Sequence, residues 1–91
     1  MPRWRSNPKY ASTAEVSEAA GVNRVTLWRW VNMGILPAPT KLSDGISGVH
    51  NRWPAWAIER ARWVRRRRDE MLTLPEVAAL VEAGEAPGPL D

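Results

Sequence analysis

Arg24, Arg29 and Asn32 stand within one short segment, NRVTLWRWVN, and their side chains suit the reading of planar, polar edges. A guanidinium such as that of Arg29 offers two donors that match the two acceptors on a guanine edge. The Asn32 amide can do the same for adenine. At about 100° per residue, Val25, Trp28, Arg29 and Asn32 fall on one side of a helix, and Leu27, Trp30 and Val31 on the other. The apolar side runs on into Ile35 and Leu36. Arg24, at the exposed first turn, and Thr26 flank the outward set as candidate phosphate contacts. The two tryptophans therefore divide. Trp30 packs inward, while Trp28 either covers a neighbouring element or lies against DNA sugars or a thymine methyl. The plainer alternative is an amphipathic helix whose polar face meets only water.

Charge supports a polyanionic partner. Residues 1–68 carry all 13 basic residues against four acidic ones (Glu15, Glu18, Asp44, Glu59), a net +9, whereas residues 69–91 carry a net −6. A basic body with an acidic end points to nucleic acid before membrane, since no basic amphipathic membrane helix stands out. A solvated basic surface is the competing account. The chain of 91 residues suffices for one modest core. It has no cysteine, which excludes disulfides and thiolate metal sites. No long apolar run or signal-peptide pattern is present, so a soluble, cytoplasmic protein is expected.

The elements that must position the segment follow from local signals. Residues 1–11 read as a basic arm. Ser12, with Glu15 three residues on, opens a helix that Gly21 stops. Asn23 caps a second helix running from about Arg24 to Met33, ended by Gly34. Two short helices on a tight turn form a helix-turn-helix. Pro37 and Pro39 force an extended exit, and residues 40–53, with Asp44-Gly45 and Gly48, read as a β-hairpin. Pro54 is placed as the first residue of a third helix, whose core stripe is Ile58, Ala61 and Val64. Thr73 and Glu76 make a second capping box for a fourth helix with Val77, Leu80 and Val81, which Gly84 ends. The fold class expected is mainly α: a winged helix-turn-helix over residues 12–84 with a small hairpin wing and two further helices, followed by a flexible tail, 85–91.

With these elements in place, GVNRVTLWRWVNMGILPAP and its glycine-containing wing resemble the MerR-type winged helix. That superfamily usually reads GV-x-x-x-TLR-x-Y-x-x-x-GLLxP here, so this chain departs at Trp28, where arginine is usual, and at Trp30, where tyrosine is. TLWRWVNMGILPAP is closer to phage excisionases, whose recognition helix reads T-[VL]-x-R-W-V before a proline-rich step into the wing. The basic, tryptophan- and arginine-rich chain looks most like mycobacteriophage-type excisionases. The resemblance spans roughly residues 12–83. It implies that Arg29 and Asn32 approach bases in the major groove beside Arg24 and Trp28, and that the wing, through Lys41, His50 and Arg52, meets the minor groove or backbone. It also implies the function: cooperative binding of attachment-site DNA by several copies, bending, and direction of a phage integrase toward excision. Asn32 stands where excisionases carry another arginine, and the wing is slightly longer than theirs. A small MerR-like transcription regulator is the alternative.

Two features stand outside this scheme. In RARWVRRRRDE, Arg62 is expected to pair with Glu59, Arg65 with Asp69 and Arg66 with Glu70, so a self-paired helix face competes with direct DNA contact. On the opposite arc, Trp56 and Trp63 lie seven residues apart with Arg60 and Arg67 alongside. This arc is either a protein interface, which would make the chain an adaptor, or a surface covered by the arm or the fourth helix. His50 is the only histidine and lacks a Cys or a clear Ser/Asp partner, no metal-ligand spacing converges, and no phosphate-binding glycine loop is present. Neither catalysis nor a cofactor or metal is expected.

Overall fold

The computed structural model describes residues 10–43 and 49–88. In chain order the elements are β1 (Tyr10–Ala11), α1 (Thr13–Ala20), α2 (Arg24–Asn32), β2 (Thr40–Ser43), β3 (Val49–Pro54), α3 (Trp56–Asp69) and α4 (Leu74–Glu82). This is a mainly helical fold with a three-stranded antiparallel sheet, an arrangement compatible with a winged helix. The sheet order is β1-β3-β2, so β3 is central. The hairpin forms as expected, with Thr40 opposite Arg52 and Lys41 opposite Asn51. Its turn, with Asp44-Gly45 and Gly48, lies outside the described residues.

Two expected boundaries move. The last residues of the supposed arm, Tyr10 and Ala11, form β1, with Tyr10 opposite Pro54 and Ala11 opposite Trp53. Residues 1–9 lie outside the described residues. Pro54 closes β3 rather than opening a helix, and α3 begins at Trp56 behind Ala55, which gives no side-chain cap. The fixed φ and missing N–H of proline suit the end of a strand as well as the start of a helix, and the pairing with β1 decides between them.

The capping signals act as read. The Ser12 hydroxyl accepts from the Glu15 N–H at 3.1 Å, and the Glu15 carboxylate accepts from the Ser12 N–H at 2.9 Å. The Asn23 side chain accepts from the Thr26 N–H at 2.9 Å. At α4 the Glu76 carboxylate accepts from both the N–H and the hydroxyl of Thr73, each at 2.9 Å. These bonds favour its ionised form and hold its pKa below the ordinary 4.5. That contribution to the cap is present above pH 4.5 and is lost as the pH falls through the lowered value.

All four helices finish in the same turn, in which an N–H returns to a carbonyl five residues back: Val22 to Ser17, Ile35 to Trp30, Leu72 to Arg67 and Glu85 to Leu80. The turn requires a left-handed residue. Glycine supplies it at three ends, but after α3 it is Met71, at φ +72°.

The core gathers Val16 and Ala20 of α1, Leu27 and Trp30 of α2, Ile35, Leu36, Trp53, and Ala57, Ala61 and Val64 of α3, with Val77 of α4 beneath. Val31, Ile58, Leu80 and Val81 are only partly buried at its edge. Trp53, absent from the expected core, is fully buried, and its indole N–H donates to the Thr13 hydroxyl at 2.9 Å.

The Met71 side chain is 87% exposed, so its left-handed backbone gains nothing from packing. Met71→Gly is expected to stabilise the fold by about 1 kcal/mol. Thermal unfolding checks this: the melting temperature should rise by about 4–8 °C.

Candidate nucleic-acid interface

The elbow between α1 and α2 sets the direction of α2. Gly21 takes φ +71°. The Ser17 hydroxyl donates to the Val22 carbonyl, tying the turn back to α1. Asn23 then starts α2 with its side chain on the Thr26 N–H. Leu27 and Trp30 fix the rotation of the helix, being 0% and 2% exposed.

With that rotation set, Arg24, Val25, Arg29 and Asn32 are all exposed. Val25 is 71% exposed and adds one apolar group to this polar face. Thr26 is half-buried, its N–H committed to the cap. Trp28 is half-buried as well and belongs to the first of its two readings: it covers the wing. Its ring meets that of Trp53 at 5.5 Å between centroids, tilted by 40°. The segment from residue 19 to residue 43 contains no acidic residue, so the outward face of α2 is free of competing carboxylates of its own.

In the wing, the pleat separates residues that the sequence reading grouped. Thr40 pairs with Arg52, and Lys41 with Asn51, so Lys41 and Arg52 lie on opposite faces of the hairpin. Lys41 is exposed on edge strand β2. Arg52 is half-buried, and its guanidinium sits 4.8 Å from the centroid of the Tyr10 ring. A cation over a ring face is attracted by the ring, and this contact gives the Arg52 side chain a preferred position. Tyr10 was missed as a partner because it falls in the segment read as an arm. His50 holds the β3 position opposite Leu42.

The arc of tryptophans on α3 is a covered surface, which corrects its reading as an interface. Trp63 is 8% exposed and Arg60 7%. Among the described residues, the segment that follows α4 covers Trp56 and Arg60. The Arg60 Nε donates to the Pro87 carbonyl at 2.9 Å, and its guanidinium stacks 4.6 Å from the Trp56 ring. Gly88 lies so close to Trp56 that an added Cβ would stand 2.4 Å from Cε3, and Ala86 is buried. Residues 85–88 of the supposed tail are thus packed, and residues 89–91 lie outside the described residues. Arg67 is half-buried over Trp63, at 5.9 Å, and pairs with Glu70 at 3.1 Å, the place expected for Arg66. The expected Arg62–Glu59 pair forms at 2.9 Å. The Arg65–Asp69 pair does not form among the described residues.

No group of three or more potential metal ligands gathers among the described residues, and no helix there is long and apolar enough to cross a membrane. The two tryptophans of α2 should separate on truncation. Trp30→Ala is expected to cost about 3–5 kcal/mol of stability. Trp28→Ala should cost on the order of 1–2 kcal/mol, since Trp28 is only half-buried and loses its ring contact with Trp53. Urea unfolding of the two variants checks the order. Comparison of the chain with protein-family models, curated proteins and solved structures finds no match, so a functional reading rests on where these side chains stand.

Proposed function

We propose that this protein is a non-enzymatic, MerR-like winged-helix protein that binds duplex DNA, with α2 in the major groove and the β2–β3 hairpin against the neighbouring backbone or minor groove. One observation carries the reading: the rotation fixed by Leu27 and Trp30 brings Arg24, Val25, Arg29 and Asn32 out together. In these roles Arg29 bonds a guanine edge, Asn32 an adenine edge, Val25 a thymine methyl, and Arg24 a phosphate. Lys41 and the Tyr10-stacked Arg52 serve the wing from its two faces. The excess of basic residues before position 69 supplies the sequence-independent part of the affinity.

Within this class the resemblance of TLWRWVNMGILPAP to excisionases points to architectural work. Copies on adjacent attachment-site sequences bend the DNA and bias an integrase toward excision. One nine-residue recognition helix reads only a few base pairs, so useful specificity calls for several copies. Sequencing DNA fragments selected by the protein separates this role from transcription control. Attachment sites support excision, and promoter spacers overturn it in favour of regulation.

Arg29→Ala tests the base-reading role. On the selected duplex it should remove about 1–3 kcal/mol of discrimination at one base pair. Equal losses on selected and random duplexes, measured by competition binding, would reduce Arg29 to a phosphate contact.

A further inference from the structure

The arginine run of α3 divides between groups the fold occupies and groups it leaves available. Arg67 engages Glu70 and Trp63, and the Arg68 Nη1 donates to the Leu72 carbonyl at 2.7 Å. Arg65 and Arg66 are exposed, and neither forms an ion pair among the described residues. Arg65 has a particular place. Packing of α3 on α1 brings its guanidinium over Gly21, where an added Cβ would meet Cζ and Nε at 3.2 Å and Nη1 at 3.3 Å. That is the elbow of the helix-turn-helix, three residues ahead of Arg24. The last turn of α1 has no basic residue, so a cation from a different helix stands at its negative end.

We propose that Arg65 is a DNA-backbone contact, a phosphate-binding point on α3 in addition to those of α2 and the wing. It rests on the DNA reading above. With α2 in the major groove, first turn toward the bases, the elbow before that turn faces the groove wall. Phosphates there come between Arg24 on the α2 side and Arg65 on the α3 side. The Arg65 head already stands over Gly21, on the side from which those phosphates approach. The elbow also forms a shallow groove lined by Ala14, Ser17, Glu18, Gly21, Asn23 and Arg24, in which Glu18 is the exposed acidic group. Its charge opposes a phosphate there.

The test is the salt dependence of binding to a mixed-sequence duplex of about 25 base pairs, followed by fluorescence anisotropy between roughly 50 and 200 mM NaCl. Each phosphate contact contributes about 0.9 to the slope of log K against log salt. Arg65→Gln should lower the slope by about that amount, Arg65→Lys should restore most of it, and Glu18→Gln should tighten binding. Arg62→Gln, which removes a residue already paired with Glu59, should leave the slope unchanged. Circular dichroism melting of each variant separates folding from binding. A lowered melting temperature with an unchanged slope makes Arg65 a helix-end cation only and overturns the contact. A slope that falls in Arg24→Gln but not in Arg65→Gln overturns it too, while the DNA reading stands. A wild-type protein without salt-sensitive duplex binding overturns both.

Discussion

The arrangement depends on the burial of Trp53. It sits on the central strand, opposite Ala11, with its N–H on Thr13 and its ring against Trp28. One side chain therefore joins the hairpin to the first residue of α1 and to Trp28 of α2. Complete removal of a tryptophan side chain from water is worth on the order of 4–6 kcal/mol. The indole N–H, which would be costly to bury alone, has its hydroxyl partner. Strand β1 adds only two residues to the hairpin, so the sheet relies on this side chain to hold it against the helices. With it, α2 and the hairpin form one surface.

Around that joint the charges are sorted by what covers them. Arg60 is drawn under Pro87 and Gly88 with its guanidinium over Trp56, so its cation contributes little to the surface. Arg62 meets a carboxylate on its own helix and Arg67 one at the residue just after it, pairs that contribute a few tenths of a kcal/mol each and soften the field of α3. Among the described residues Arg24 and Arg29 meet none, and the stretch from residue 19 to residue 43 brings no carboxylate near them in sequence. The basic character of the chain is thus broad in composition and narrow in availability.

Local chemistry made much of this legible beforehand. Ser12 with Glu15, Asn23, and Thr73 with Glu76 act within three residues of themselves, and Gly21, Gly34 and Gly84 act within a single turn, so their roles follow from adjacency. The inward turn of Leu27 and Trp30 followed from helical period alone. What could not be read depended on partners distant in sequence. Whether Trp53 faces inward follows from strand register, which Ala11, more than forty residues earlier, helps to set. Pro54 fits the end of a strand and the start of a helix equally until β1 pairs beside it. The fate of Trp56 and Arg60 was decided by Pro87 and Gly88, in a segment without periodicity.

The central claim is that the outward face of α2 and the adjoining wing meet duplex DNA. Titrating the 15N-labelled protein with duplex DNA and following backbone amide and arginine Nε resonances tests it most directly. The account predicts the largest shifts over residues 24–32 and 40–54, with α4 (Leu74–Glu82) and the Trp56–Gly88 contact unmoved. Shifts centred on α4 or on that contact, or none at about 50 mM salt, would contradict it.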